Sequence, residues 1–304
     1  MITFFTALIP IMTLIILGYI LRRNKFLPEE TWSGVEKLTY FVLLPSLLIR
    51  TLGKQSLVGV PWPSMLSVVI VTLMTSAVLL IVFRKAISKN NATFTSIFQG
   101  GVRFNTYIML AVAQSLFGTS GLAMGSVAVG FMIVLINLWC ISIFVIWGKA
   151  SFQGILPFIR EILANPLIIA CSIGWLLSLS SIGLPYITGD IFEIVGRAAL
   201  PFGLLAVGAA LKPTGIREHI APIVYSSIAQ FGLKPLITSF MVYYTGLTGA
   251  AGAVLVIAFI APTAPSAYIL ARQLGGDTEA MASIITAQTL LAFLMMPLLG
   301  AILL

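Results

Sequence analysis

The chain has 304 residues, 59% of them hydrophobic and only 9% charged, with a mean hydropathy of +1.09. A soluble domain carries roughly 25% charged residues, so this composition excludes a soluble protein and gives a polytopic membrane protein embedded in the lipid bilayer. The net charge of +8 is spread over short loops rather than gathered in a basic patch interleaved with exposed aromatics, which excludes a nucleic-acid partner.

A span needs about 20 apolar residues. Ten segments meet that test: 3–21, 33–52, 62–83, 93–117, 120–147, 162–181, 186–211, 220–246, 248–272 and 279–303. The first has no basic run before it and reads as a retained span rather than a cleaved signal. The second holds Pro45, expected to kink it. The fourth carries Arg103, Asn105 and Thr106 in its middle, after Gly100 and Gly101. Lipid cannot hydrogen-bond such groups, so they must face protein or a water-filled cavity, and a break in the helix is expected here. The fifth holds Asn137, placed to tie that helix to the broken one. The seventh opens with Asp190, Glu193 and Arg197, of which Arg197 is expected to pair with Glu193 at i, i+4. Its Pro201 is read, like Pro45, as a kink. The eighth holds Lys234 before Pro235, with Gln230 one turn earlier on the same face. An intramembrane charge is a functional hypothesis in its own right. In the ninth, Pro262, Thr263, Pro265 and Ser266 interrupt the helix in mid-membrane, because two prolines remove two backbone donors.

Loop charges set the orientation. Arg22, Arg23, Lys25 and Lys37 flank the first loop, Arg84, Lys85 and Lys89 fill the third, Lys149 and Arg160 the fifth, Lys212 and Arg217 the seventh, and Arg272 borders the ninth. The even loops hold only Arg50 and Lys54. By the positive-inside rule the odd loops are cytoplasmic and both termini face the periplasm.

With five spans in each half, the halves run in opposite orientations. Leu44-Pro45-Ser46-Leu47-Leu48 resembles Leu200-Pro201-Phe202-Gly203-Leu204. Setting Asn105 against Thr263 brings Leu116 onto Leu274 and Gly118 onto Gly276. This order of proline, polar break and terminal glycine predicts an inverted repeat, residues 1–150 and 151–304.

Other chemistry is excluded by what is missing. Cys140 and Cys171 fall in apolar runs and read as packed thiols. The single histidine, His219, lies in a charged loop, so no metal site is expected. Glu161, Asp190, Glu193, Asp277 and Glu279 all fall at span ends or in loops, leaving no central carboxylate. There is no zinc helix, no Walker A loop and no aspartate-rich diphosphate motif. No cofactor is expected, and neither an enzyme nor an ATP-driven pump.

The chain resembles the auxin efflux carrier family of membrane transporters, in its bacterial branch, from end to end. The resemblance is carried by Phe41 to Leu48, Asn105-Thr106, Asn165-Pro166, Pro201 to Leu211, and Pro262 through Gly276. One departure is that many members place a proline in the fourth-span break, whereas here none lies between Pro63 and Pro157. The resemblance implies an all-α fold of ten transmembrane helices as two inverted five-helix repeats, like bile-acid symporters. Spans one, two, six and seven would form a scaffold and spans three to five and eight to ten a transport core, with the broken fourth and ninth spans crossing. It also implies a carrier of small organic anions in the cytoplasmic membrane that dimerises through its scaffold.

From the residues themselves, the solute is expected at Asn105, Thr106, Pro262, Thr263, Pro265, Ser266, Lys234 and Arg103, supported by Gln230, Asn137, Pro45 and Pro201. The function expected is secondary transport of a small organic anion, a carboxylate by preference, in an elevator-type cycle. A sodium- or proton-coupled symporter of the bile-acid type and a non-transporting membrane sensor or intramembrane enzyme stand as alternatives.

Overall fold

The computed structural model describes residues 2–55, 59–148, 163–180 and 182–304. Lys149 and Arg160, and the boundary expected at 150/151, lie outside the described residues. The described residues form helices and their connections only: α1 (Ile2–Arg23), α2 (Glu29–Leu38), α3 (Leu44–Lys54), α4 (Trp62–Val82), the single turn α5 (Arg84–Ile87), α6 (Asn91–Val102), α7 (Thr106–Trp147), α8 (Pro166–Leu179), α9 (Thr188–Arg197), α10 (Ala199–Ala209), α11 (Ile220–Ser227), α12 (Lys234–Thr245), α13 (Gly249–Ile260), α14 (Ser266–Leu274) and α15 (Thr278–Leu303).

Six runs of described residues are long and apolar enough to cross a membrane: Ile2–Arg23, Trp62–Val82, Asn91–Trp147, Thr188–Ala209, Ile216–Thr245 and Thr278–Leu303. The chain is therefore a multi-pass membrane protein. The count falls below the ten expected segments for physical reasons. The expected fourth and fifth spans lie in one run of 57 residues, and α8 and α13 are apolar but shorter than a full crossing. Charged Glu29, Glu30, Glu36 and Lys37 crowd the start of the second.

That long run is not one rod. A straight α7 of 42 residues would be about 63 Å long, twice the hydrocarbon thickness of a bilayer. Gly118 divides it into 106–117 and 119–147, with φ 58° and ψ −140°, a conformation that a residue with a Cβ rarely adopts. Beyond the turn the chain doubles back. A Cβ on Gly121 would stand 2.0 Å from the Ala113 carbonyl oxygen, and one on Gly125 would stand 2.8 Å from Leu110 Cδ2. Small residues let transmembrane helices approach in this way. The same device joins α1 to α10, where a Cβ on Gly208 would lie 1.8 Å from the Ile15 oxygen.

Two helices contain a widened π-helical turn, Thr39–Leu43 and Ile228–Leu233. Pro45 and Pro235 follow these turns in the first two positions of α3 and α12. A proline clashes with the carbonyl four residues earlier, and an extra residue in the turn relieves the clash. Pro201 has no such turn before it. It lies exposed in the first turn of α10, where a proline costs little.

Polarity is turned inside out. Ile9, Ile16 and Ile20 of α1 and Leu236, Phe240 and Tyr244 of α12 are exposed, whereas Gln99, Asn105, Gln230, Lys234, Thr263 and Gln288 are fully buried. Glu193 of α9 accepts from Arg197 at 2.5 Å and from Arg50 of α3.

Candidate functional site

The first interruption separates α6 from α7. Arg103 leaves the helix with φ −70° and ψ 161°. Asn105 then starts the next helix as its N-cap, its Oδ1 accepting from the Tyr107 and Ile108 amides at 3.1 Å each. Asparagine is among the best N-caps because it satisfies orphan donors that no helical carbonyl reaches. Gly100 and Gly101, expected to loosen the chain here, are still helical. They serve packing instead: a Cβ on Gly100 would lie 2.7 Å from Ile284 Cγ2, and one on Gly101 would lie 2.9 Å from Ala229 Cβ.

The second interruption separates α13 from α14. Ala261 is extended, with ψ 139°, as the residue before a proline prefers. Pro265 caps α14. The two interruptions meet through the backbone, since the Asn105 amide donates to the Pro262 carbonyl at 2.7 Å.

Four buried side chains fasten this junction from behind. Gln288 of α15 accepts from the Thr263 amide at 3.1 Å and donates to the Gly100 carbonyl at 3.0 Å. Gln99 Nε2 donates to the Ala267 carbonyl at 3.2 Å. Gln230 Nε2 donates to the Ala261 carbonyl. Lys234 Nζ donates to the Val102 and Arg103 carbonyls at 3.3 and 3.4 Å. Even so, Asn105 Nδ2 and Thr263 Oγ1 are buried with no protein partner. A buried donor left unpaired is costly, and the chain neighbours Phe104, Thr106 and Ala264 line a cavity.

This cavity adjoins the junction, and none of the four fastening side chains lines it. Its volume is about 610 Å3, and its wall includes Arg103, Phe104, Thr106, Tyr107, Asn137, Pro265 and Ser266. The Arg103 guanidinium donates to Asn137 Oδ1 at 2.8 Å and to Ser266 Oγ at 3.4 Å, both uncharged. None of the ion pairs among the described residues involves Arg103 or Lys234. The helices beginning at Thr106 and Ser266 present their positive ends at the same wall. The lining also includes Glu36, Tyr40, Asn165 and Gly203. Gly203 makes room for Tyr107, since a Cβ there would lie 2.3 Å from Tyr107 Cδ1.

The structure thus gathers Arg103, Thr106, Pro265, Ser266 and Asn137 at the cavity and sets Asn105, Pro262 and Thr263 immediately behind its wall. Lys234, expected at the solute, and Gln230, expected in support of it, are absent from the lining, because the carbonyls at the ends of the first half-helices claim their donors. Pro45 and Pro201 are also absent from the lining. The sequence reading passed over Glu36, Tyr107, Gln99 and Gln288. For the two glutamines a signal existed, since an amide in an apolar span must find a partner.

The sequence profile described as membrane transport protein matches residues 3–154 and 150–299. The chain belongs to that family. The resemblance to the auxin efflux carriers read from its motifs therefore holds. An uncharacterized transporter of Methanothermobacter thermautotrophicus is 22% identical to the chain over 301 residues, covering 98% of this chain and 97% of that protein.

Proposed function

We propose that the chain is a secondary carrier of a small organic anion, a carboxylate by preference, which it moves across the cytoplasmic membrane in an elevator-type cycle. The observation that carries this reading is the uncompensated Arg103 guanidinium, set in the wall of a solute-sized cavity between two helix N-termini. Pockets of a few hundred Å3 with few polar groups suit small ligands. A carboxylate would take donors from Arg103, Thr106 and Ser266, and a shift of Asn105 would add its free amide.

The architecture proposed is ten spans in two inverted repeats, 1–150 and 151–304, with both termini periplasmic. Spans one, two, six and seven form a scaffold that pairs two copies, and the other six form the moving core. The meeting of the two interruptions between Asn105 and Pro262 supports this reading, as does the matching depth of the breaks at 103–105 and 261–265. The cavity is bordered by Ser33 and Lys37 near the first loop, Ala164 near the fifth and Gln273 near the ninth. All three loops are cytoplasmic by the charge bias, so this conformation opens inward.

Coupling to sodium is not required on this reading, because the charges at the crossing are fixed cations. A membrane potential, negative inside, favours export of an anion by about 2.3 kcal/mol per charge per 100 mV. Glu36, half-buried in the cavity wall, favours a second reading in which a proton travels with the solute. A thermal-shift screen of organic acids on purified protein tests the anion site. A ligand at 100 times its dissociation constant stabilises by about 2.7 kcal/mol, and Arg103→Gln should abolish the shift. A pH jump across proteoliposomes separates the second reading: Glu36→Gln would then lose proton-driven uptake yet keep exchange.

A further inference from the structure

The first half-helices of both interruptions, α6 and α13, end at the junction, and a helix C-terminus is the negative end of its dipole, rich in carbonyls without partners. Two such ends brought together inside a membrane make a position for a cation. One side-chain pair fills that position, Gln230 and Lys234, four residues apart around the widened turn Ile228–Leu233. Gln230 Nε2 takes the Ala261 carbonyl at the end of α13. Lys234 Nζ takes the carbonyls of Val102, the last residue of α6, and of Arg103. Its remaining side faces the Phe259 ring, whose centroid lies 5.7 Å away.

Two carbonyls and a ring face are a fitting environment for an ammonium with three donors. The side chain is fully buried and forms none of the ion pairs among the described residues. Gln230 Oε1, an acceptor, is buried nearby without a protein partner.

We propose that Lys234 is a tethered cation: its ammonium permanently occupies a monovalent-cation position built from the Val102 and Arg103 carbonyls, with Gln230 Oε1 in reserve. The crossing therefore takes no cation from solution, and truncating the lysine converts the position into a site for a free one. The inference is independent of what the cargo is, and its test uses no organic anion.

The test is the thermal unfolding of wild type and Lys234→Ala, purified in detergent and titrated with sodium, potassium or methylammonium chloride against choline chloride at constant ionic strength. Wild type should unfold at one temperature in all four salts. Lys234→Ala should unfold at lower temperature in choline and recover saturably, by about 3 °C or more, in sodium, potassium or methylammonium. Stabilisation of wild type by sodium or potassium over choline would overturn the proposal, and so would a variant indifferent to all three cations. Should the variant not survive purification in choline, its recovery as monodisperse protein in one of the other salts supports the proposal, and equal loss in every salt contradicts it.

Discussion

The two ends of the Asn105 amide differ in their surroundings. Its Oδ1 caps α7, while its Nδ2 is buried without a protein partner. Asn105→Asp separates them: the carboxylate keeps an oxygen for the cap but replaces the donor with a negative charge. We expect the variant to insert and fold, yet to bind a carboxylate at least about 100-fold more weakly, since a bond to a charged group is worth about 1.5–3 kcal/mol and repulsion adds to its loss. Equal binding by wild type and Asn105→Asp in the thermal-shift assay would remove Nδ2 from the site. Asn105 and Thr263 were legible in the sequence because lipid forbids an unpaired polar group at mid-span. Glu36 was not, because a carboxylate four residues into an apolar segment reads as interfacial until the other residues lining its cavity are known. Lys234 was legible as a buried cation but not in its direction, which is fixed by where α6 ends.

At the level of elements, breaks were readable and packing was not. Two prolines in the ninth segment and an Asn-Thr pair in the fourth marked both interruptions, since each removes or recaptures backbone donors. The glycines before Asn105 suggested part of the break, yet they admit Ile284 and Ala229 to the face of α6. Among the described residues Pro45 and Pro235 each follow a widened turn, whereas Pro201 sits in the first turn of α10 with none before it. The contact of Gly203 with Tyr107 packs α10 against α7 in the cavity lining. Gly203→Ala should force the Tyr107 ring to move and slow transport several-fold with insertion unchanged. Tyr107→Leu in the same chain should restore part of the loss. Independent, additive effects would show that the two residues are not coupled.

For the whole molecule, the loop charges predict both termini on the periplasmic side. Reporter fusions after Leu304 and after Lys149 should give opposite results, and a cytoplasmic C-terminus would refute ten spans in this orientation. Apolar length predicts ten spans whereas the described residues hold six long apolar runs, because breaks and widened turns shorten individual helices. The central claim is that this family member carries an anion through its cationic crossing without sodium. Its most direct test is uptake of radiolabelled small carboxylates into proteoliposomes, with the potential set by a potassium gradient and valinomycin. The account predicts uptake that follows the potential as expected for a negative charge, is unchanged when sodium is replaced by choline, and is lost in Arg103→Gln. Strict dependence on sodium at fixed potential, or undiminished uptake by Arg103→Gln, would contradict it.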